Sequence, residues 1–188
     1  MDVWVIAVIV VLVLVAVAAY LGMRSRQSDD SGQLKQQFGD EYDRTVASSS
    51  DPEKAEHELK RRVERHERLD ITELSDEDRQ RYANEWRDVQ RRFVDEPEAT
   101  LGDADRLITR AMRDRGYPTE HYDQKVEDLS VEHAGTLDAY REAHDITDRH
   151  ERDGVSTDEL RHAMQRYRTV FEDIVETRTT TGERSDHE

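Results

Sequence analysis

The eight histidines of this chain, set among many carboxylates, first raise the question of a metal site. A helical zinc site of the metalloprotease type needs two histidines four residues apart, with a glutamate directly after the first. His57 and His66 are each followed by glutamate, but neither has a second histidine at the required position. His144 and His150 are six residues apart and would face different sides of a helix. The spacing therefore predicts no metal site.

The acidic stretch from Asp145 to Glu159 has some likeness to a calcium-binding loop. In the EF-hand pattern the glycine at position six would be Gly154, which places Arg149 at position one. That position requires a carboxylate, so the register fails and an acidic junction between two helices is expected. The sequence also has no glycine-rich phosphate loop and no nucleophile elbow. It predicts no catalytic residue and no cofactor.

His144 is the candidate for a pH-sensitive group in the core, because it lies in register with Tyr140 on one face of a predicted helix. The expected state is a partly buried, satisfied imidazole, and the alternative is a packing switch that responds to protonation. Trp86 lies in register with Tyr82 and Phe93. We expect Trp86 to be a core residue, with an aromatic ligand cage as the alternative.

Arginines cluster on a predicted helix that runs from Pro52 to about Leu69. The four concerned are Arg61, Arg62, Arg65 and Arg68. They form a candidate surface for docking an acidic partner. The alternative is a solvated face whose charges only support an exposed helix, since exposed ion pairs contribute about 0–1 kcal/mol each.

The net charge restricts the classes of partner. The chain carries a formal charge of −16, and residues 31–188 contain 41 acidic and 26 basic side chains. Such a surface is repelled by nucleic acid, so nucleic-acid binding is excluded. The absence of cysteine excludes disulfides and thiolate zinc sites.

The N-terminal segment predicts a membrane anchor. Residues 3–23 are 21 consecutive uncharged residues, and at 1.5 Å per residue a helix of this length spans about 30 Å, the thickness of a bilayer's hydrocarbon core. Trp4 and Tyr20 lie near its ends, where aromatic rings favour the interface. Arg24 and Arg26 follow it, so the positive-inside rule predicts a single-pass cell-membrane protein with its C-terminal domain in the cytoplasm.

Two alternatives concern the same segment. Ala16-Val17-Ala18 imitates the small-residue site of a cleaved signal peptide, which would give an extracytoplasmic or secreted domain. Ala18 and Gly22 form a small-xxx-small pair that could join two anchors in a weak homodimer.

Beyond the anchor the sequence predicts an all-α fold, an acidic helical bundle of about five to seven helices. No alternating β-branched runs bounded by hairpin turns are present. The predicted organisation is an anchor at 1–23, a juxtamembrane linker at 24–33, a helical domain at 34–177 and a disordered acidic tail at 178–188. Helix starts or stops are expected at Gly39, Pro52, Ser75, Pro97, Gly116, Tyr122, Gly154 and Ser156.

Nearly the whole chain from residue 34 to 176 resembles a family of uncharacterised bacterial proteins, common in actinobacteria and sometimes described as membrane or secreted proteins. The segment from Phe38 to Arg44, Phe-Gly-Asp-Glu-Tyr-Asp-Arg, is similar to the opening motif of that family. The resemblance continues through Glu64–Ile71, Tyr82–Pro97, Asp103–Pro118, Asp128–His133 and Ser156–Glu176. It implies no activity, cofactor or catalytic residue.

These patterns together predict an interaction or scaffolding module, tethered to the lipid bilayer through residues 3–23, that binds a protein partner of unknown identity. One alternative is an enzyme whose site assembles from scattered His, Asp, Glu and Arg residues, and another is a structural membrane dimer. A deep pocket with converging titratable groups would favour the enzyme, and a groove would favour the interaction module.

Overall fold

A computed structural model describes residues 30–176 of the chain, and in this range every regular element is an α-helix. The all-α prediction is therefore confirmed. Within the described range no helix is long and apolar enough to cross a bilayer. The predicted anchor at residues 3–23 and the predicted tail at 178–188 lie outside the described residues.

Eight helical segments make up the described range, one more than the predicted upper limit. The described part of α1 covers residues 30–38. The others are α2 (Asp40–Ser48), α3 (Pro52–His66), α4 (Asp76–Asp95), α5 (Pro97–Arg115), α6 (Tyr122–Glu132), α7 (Ala134–Asp153) and α8 (Thr157–Glu176). The chain divides after Lys60, inside α3, into two compact units.

The first unit, described from residue 30, contains α1, α2 and the beginning of α3. Residues 30–33 are helical, although the sequence assigned them to a linker. They are polar and precede Leu34, the first apolar residue of the described part of α1, so they carry no helical periodicity of their own. Gly39, with φ of 52°, separates α1 from α2 as expected. The Tyr42 hydroxyl donates to Glu56 Oε1 at 2.8 Å, which connects α2 to α3.

The second unit is built around α5 and α8. The α5 helix packs against α4, α7 and α8, and α8 packs in turn against α4 and α7. Trp86 of α4 stacks on Phe171 of α8, with ring centroids 4.6 Å apart, and is 5% exposed. The prediction that Trp86 belongs to the core is thereby confirmed.

Local signals place the ends of these helices. The Ser75 hydroxyl accepts a hydrogen bond from the Asp78 N–H at 3.0 Å at the start of α4. At the start of α8, Ser156 and Glu159 form a reciprocal capping box, with Ser156 N to Glu159 Oε2 at 3.1 Å and Glu159 N to Ser156 Oγ at 3.3 Å. Both caps were predicted from the sequence.

Gly116 ends α5 in the left-handed conformation, with φ of 103°. A Cβ at this position would lie 2.3 Å from the backbone oxygen of Asp70. The close approach lets the Thr72 N–H donate to Arg115 O at 2.8 Å, which fastens the loop before α4 to the end of α5. This contact fixes where the Arg115 side chain enters the interior.

Candidate functional site

Arg115 lies at the centre of a buried polar cluster in the second unit. Its side chain is fully buried. Nη1 donates to Ile174 O at 3.1 Å and contacts His133 Nε2 at 3.3 Å, while Nε donates to Thr72 O at 3.3 Å. Nη2 lies 3.6 Å from Glu132 Oε2. One guanidinium therefore joins α5, the loop before α4, the α6–α7 junction and the last turn of α8.

His133 in this cluster has a fixed tautomer. Arginine can only donate, so His133 Nε2 is the acceptor from Arg115, and Nδ1 carries the hydrogen and donates to Asp173 Oδ2 at 2.9 Å. Thr136 Oγ1 also donates to Asp173 Oδ2, at 2.6 Å. A carboxylate that orients a neutral histidine is the arrangement used for general bases. Here, however, the side chain of His133 is 1% exposed, and the nitrogen that would accept a substrate proton already faces Arg115.

Tyr117 and His66 complete the cluster around Glu132. The Tyr117 hydroxyl donates to Glu132 Oε2, and burial together with this hydrogen bond raises the pKa of Tyr117, so the phenol stays a donor. His66 packs against Tyr117 with ring centroids 6.0 Å apart, and its Nε2 is 3.9 Å from Glu132 Oε2. Burial lowers the pKa of His66. Nothing in the sequence brings these residues together, because they come from separate elements.

The structure divides the predicted arginine surface of α3. Arg65 Nε lies 3.1 Å from Asp128 Oδ1, and Arg65 Nη2 lies 2.7 Å from Glu127 Oε2, both on α6. Burial raises the pKa of Asp128, although the Arg65 hydrogen bond opposes the shift.

Arg62 makes a longer contact with the same helix, from Nη1 to Ser130 Oγ at 3.4 Å. Arg61 and Arg68 are exposed. The four arginines are therefore not one free surface, since Arg65 and Arg62 face α6 and bind within the chain.

His144 is partly buried, as expected, with 23% of its side chain exposed. Its Nδ1 makes no hydrogen bond within the described residues, so the expected satisfied imidazole is not found. His144 stacks on Tyr122 with ring centroids 4.0 Å apart. Its Nδ1 is 4.0 Å from Asp105 Oδ1, and its Nε2 is 3.7 Å from Asp148 Oδ2. Protonation of His144 would place a cation between these two carboxylates. The pH-sensitive packing of His144 stays a prediction.

A solvent-facing groove of about 670 Å³ runs along α4 and α5 in the second unit. Its volume is within the range of about 300–1,000 Å³ that is usual for ligand sites. Five cations line it, namely Arg92, Arg106, Arg110, Arg113 and Lys125. Four carboxylates, those of Glu85, Asp88, Asp103 and Asp105, line it as well. In a strongly acidic chain this local excess of cations is unusual.

No group of three or more His, Asp or Glu side chains between residues 30 and 176 is arranged to hold a metal ion. Comparisons with protein-family models, with curated proteins and with solved structures found no match.

Proposed function

We propose that the chain is a membrane-tethered interaction module, whose helical domain binds a protein partner through the groove along α4 and α5. The tether is the apolar segment of residues 3–23, long enough as a helix to cross a bilayer. Arg24 and Arg26, directly after it, favour a domain on the cytoplasmic side.

The observation that carries the proposal is the contrast between the groove and the buried cluster. The groove faces solvent and presents arginine side chains, a residue type enriched at protein interfaces. The groups that resemble catalytic residues, above all His133 with Asp173, are packed in the interior around Arg115. This geometry supports a structural role for the cluster and a binding role for the groove.

The partner is expected to be acidic where it enters the groove. Residues 76–115, which form α4 and α5, contain 11 acidic and 9 basic side chains, whereas residues 116–176 contain 16 and 7. An acidic partner is therefore repelled less by the α4–α5 face than by residues 116–176.

The test uses the full chain, expressed in its native membranes and cross-linked before purification. The double variant Arg106→Glu, Arg110→Glu reverses two charges of the groove. The matched control, Arg161→Glu, Arg168→Glu, makes the same change on the exposed face of α8, where the side chains are 64% and 58% exposed. We expect the groove variant to lose the partner that the parent and the control both recover, most strongly at low salt. Equal recovery by all three proteins would contradict the proposal.

A further inference from the structure

Lys125 lies at the floor of the groove and is 93% buried, since only 7% of the residue is exposed. Its Nζ donates to Thr109 Oγ1 at 3.3 Å and lies 5.6 Å from the centroid of the Tyr140 ring. Within residues 30–176 no carboxylate forms an ion pair with it. Buried charges in proteins are normally paired, and an ammonium group has three donors, of which Thr109 accepts one.

Arg113 lines the same groove and is exposed. Its Nε donates to Thr119 Oγ1 at 3.2 Å, and no carboxylate in the described range pairs with its guanidinium. The groove therefore holds two cations that share the same condition: each contacts a threonine hydroxyl and neither contacts a carboxylate. Both retain donors for a ligand.

Two of the carboxylates that line the groove are held by other arginines. Glu85 binds Arg110, and Asp103 binds Arg92 at 2.6 Å and also binds Arg106. Burial raises the pKa of Asp103, but the hydrogen bonds from Arg106 and Arg92 outweigh this effect and hold the pKa below its usual value.

The remaining two carboxylates form no ion pair with Lys125 or Arg113 either. Asp88 binds Arg91, whereas Asp105 Oδ1 makes no hydrogen bond in the described part of the chain and lies 4.0 Å from His144 Nδ1. The acidic residues of the groove thus leave Lys125 and Arg113 available to an anion.

We propose that Lys125, Arg113 and Thr109 form an oxyanion-binding site, which receives a carboxylate of an acidic peptide segment of the partner. This inference rests on the proposed function, because it assigns the groove as the docking surface and names the chemistry of its occupant. A carboxylate reaching the floor would accept charge-assisted hydrogen bonds from Lys125 and from Arg113. The open groove, lined by charged side chains, suits an extended segment that carries carboxylates.

The test measures binding to the full chain in neutral detergent, by fluorescence anisotropy of a labelled peptide. The probe is a synthetic eight-residue peptide rich in glutamate, and its counterpart has glutamine at every glutamate. Inorganic phosphate serves as a competitor that offers the same oxygen chemistry without a peptide. We expect the acidic peptide to bind, the glutamine peptide not to bind, and the affinity to fall with rising salt.

Lys125→Met keeps most of the side-chain volume without the charge and should weaken peptide binding at least about tenfold, since it removes one charge-assisted contact. Lys54→Met makes the same change at an exposed site and should leave binding unchanged. Arg113→Gln changes an exposed position and should weaken peptide binding by a similar factor. This second variant keeps the test valid even if Lys125→Met fails to fold.

Unchanged affinity in both groove variants would overturn the site, as would equal binding of the two peptides. Binding of phosphate without binding of the acidic peptide would overturn the assignment of a peptide ligand. If the partner is still recovered by Lys125→Met and Arg113→Gln in native membranes, the oxyanion site fails while the interaction module stands. If the parent binds the peptide but recovers no partner, the proposed function fails instead.

Discussion

Arg115 donates a hydrogen bond of 3.1 Å to the carbonyl oxygen of Ile174, which lies in the last turn of α8. The last four carbonyls of a helix have no partner within the helix, so a donor from elsewhere must satisfy them when they are buried. Arg115 supplies that donor from the last residue of α5. Two central helices of the second unit are therefore joined at their C-terminal ends by one side chain.

Replacement of Arg115 by methionine should lower the free energy of unfolding by about 3 kcal/mol. The change leaves Ile174 O without its donor and Glu132 without a nearby cation, although Glu132 keeps some solvent contact. Chemical denaturation followed by circular dichroism measures the loss. Arg161→Met, at a 64% exposed ion pair, is the control and should change stability by no more than about 1 kcal/mol. Similar values for the two variants would mean that Arg115 does not hold the helix ends together.

Charge reversal on α3 should separate the arginines that the sequence grouped. Arg65→Glu places a carboxylate beside Asp128, which is fully buried, and should cost at least about 2 kcal/mol. Arg68→Glu, at an exposed position just beyond the end of α3, should change the stability by no more than about 0.5 kcal/mol. Thermal or denaturant unfolding of both variants compares them directly. Equal stability would return Arg65 to the surface role that the sequence suggested.

Gly116→Ala should destabilise the second unit by about 2 kcal/mol or more. Alanine is strained at a φ of 103°, and its Cβ would lie 2.3 Å from Asp70 O, a backbone atom that cannot rotate away. The same substitution at Gly135, where a Cβ meets nothing within 4 Å, should leave stability unchanged or raise it by up to about 1 kcal/mol. Melting temperatures of the two variants test the difference, and a neutral Gly116→Ala would argue against the close approach.

Lowering the pH should reduce the free energy of unfolding, because His66 is partly buried in its neutral form. Burial lowers its pKa below the ordinary 6.5, so the unfolded chain binds the proton more readily than the folded chain. The contribution of neutral His66 to stability is therefore complete above pH 6.5 and declines as the pH falls towards the folded-state pKa.

Unfolding free energies measured between pH 7 and pH 5 test this for the parent, His66→Gln and His57→Gln. The His66 variant should show a shallower decline than the parent, whereas the exposed His57 serves as the control and should follow the parent. Parallel curves for all three proteins would show that His66 does not contribute.

The proposed topology is tested with a single cysteine, since the natural chain has none. Ser185→Cys should resist a membrane-impermeant thiol reagent in intact cells and react after permeabilisation, because Arg24 and Arg26 favour a cytoplasmic domain. Labelling of intact cells would reverse the orientation. Release of the domain into the medium would support cleavage near Ala18.

Most helix boundaries could be predicted because their causes are local. Ser75 caps α4 through an N–H three residues away, and the capping box of Ser156 joins residues equally close in sequence. Gly116 was expected to stop α5, and it does. The contact of Gly116 with Asp70 was not predictable, because the loop before α4 returns to the end of α5 only after the helices have packed.

The sequence by itself determined the helical class, the caps, the apolar faces and the overall acidity, since each depends on composition or on residues within a few positions of one another. Tertiary structure alone decided what the charged residues do. Arg65 and Arg68 are both arginines near the end of α3, yet one binds Asp128, 63 residues away, while the other is exposed. Arg115, with His133 and Ile174, depends on contacts across 18 and 59 residues. Helical periodicity carries no information at such separations, because the packing of the helices, and not their spacing in sequence, brings these groups together.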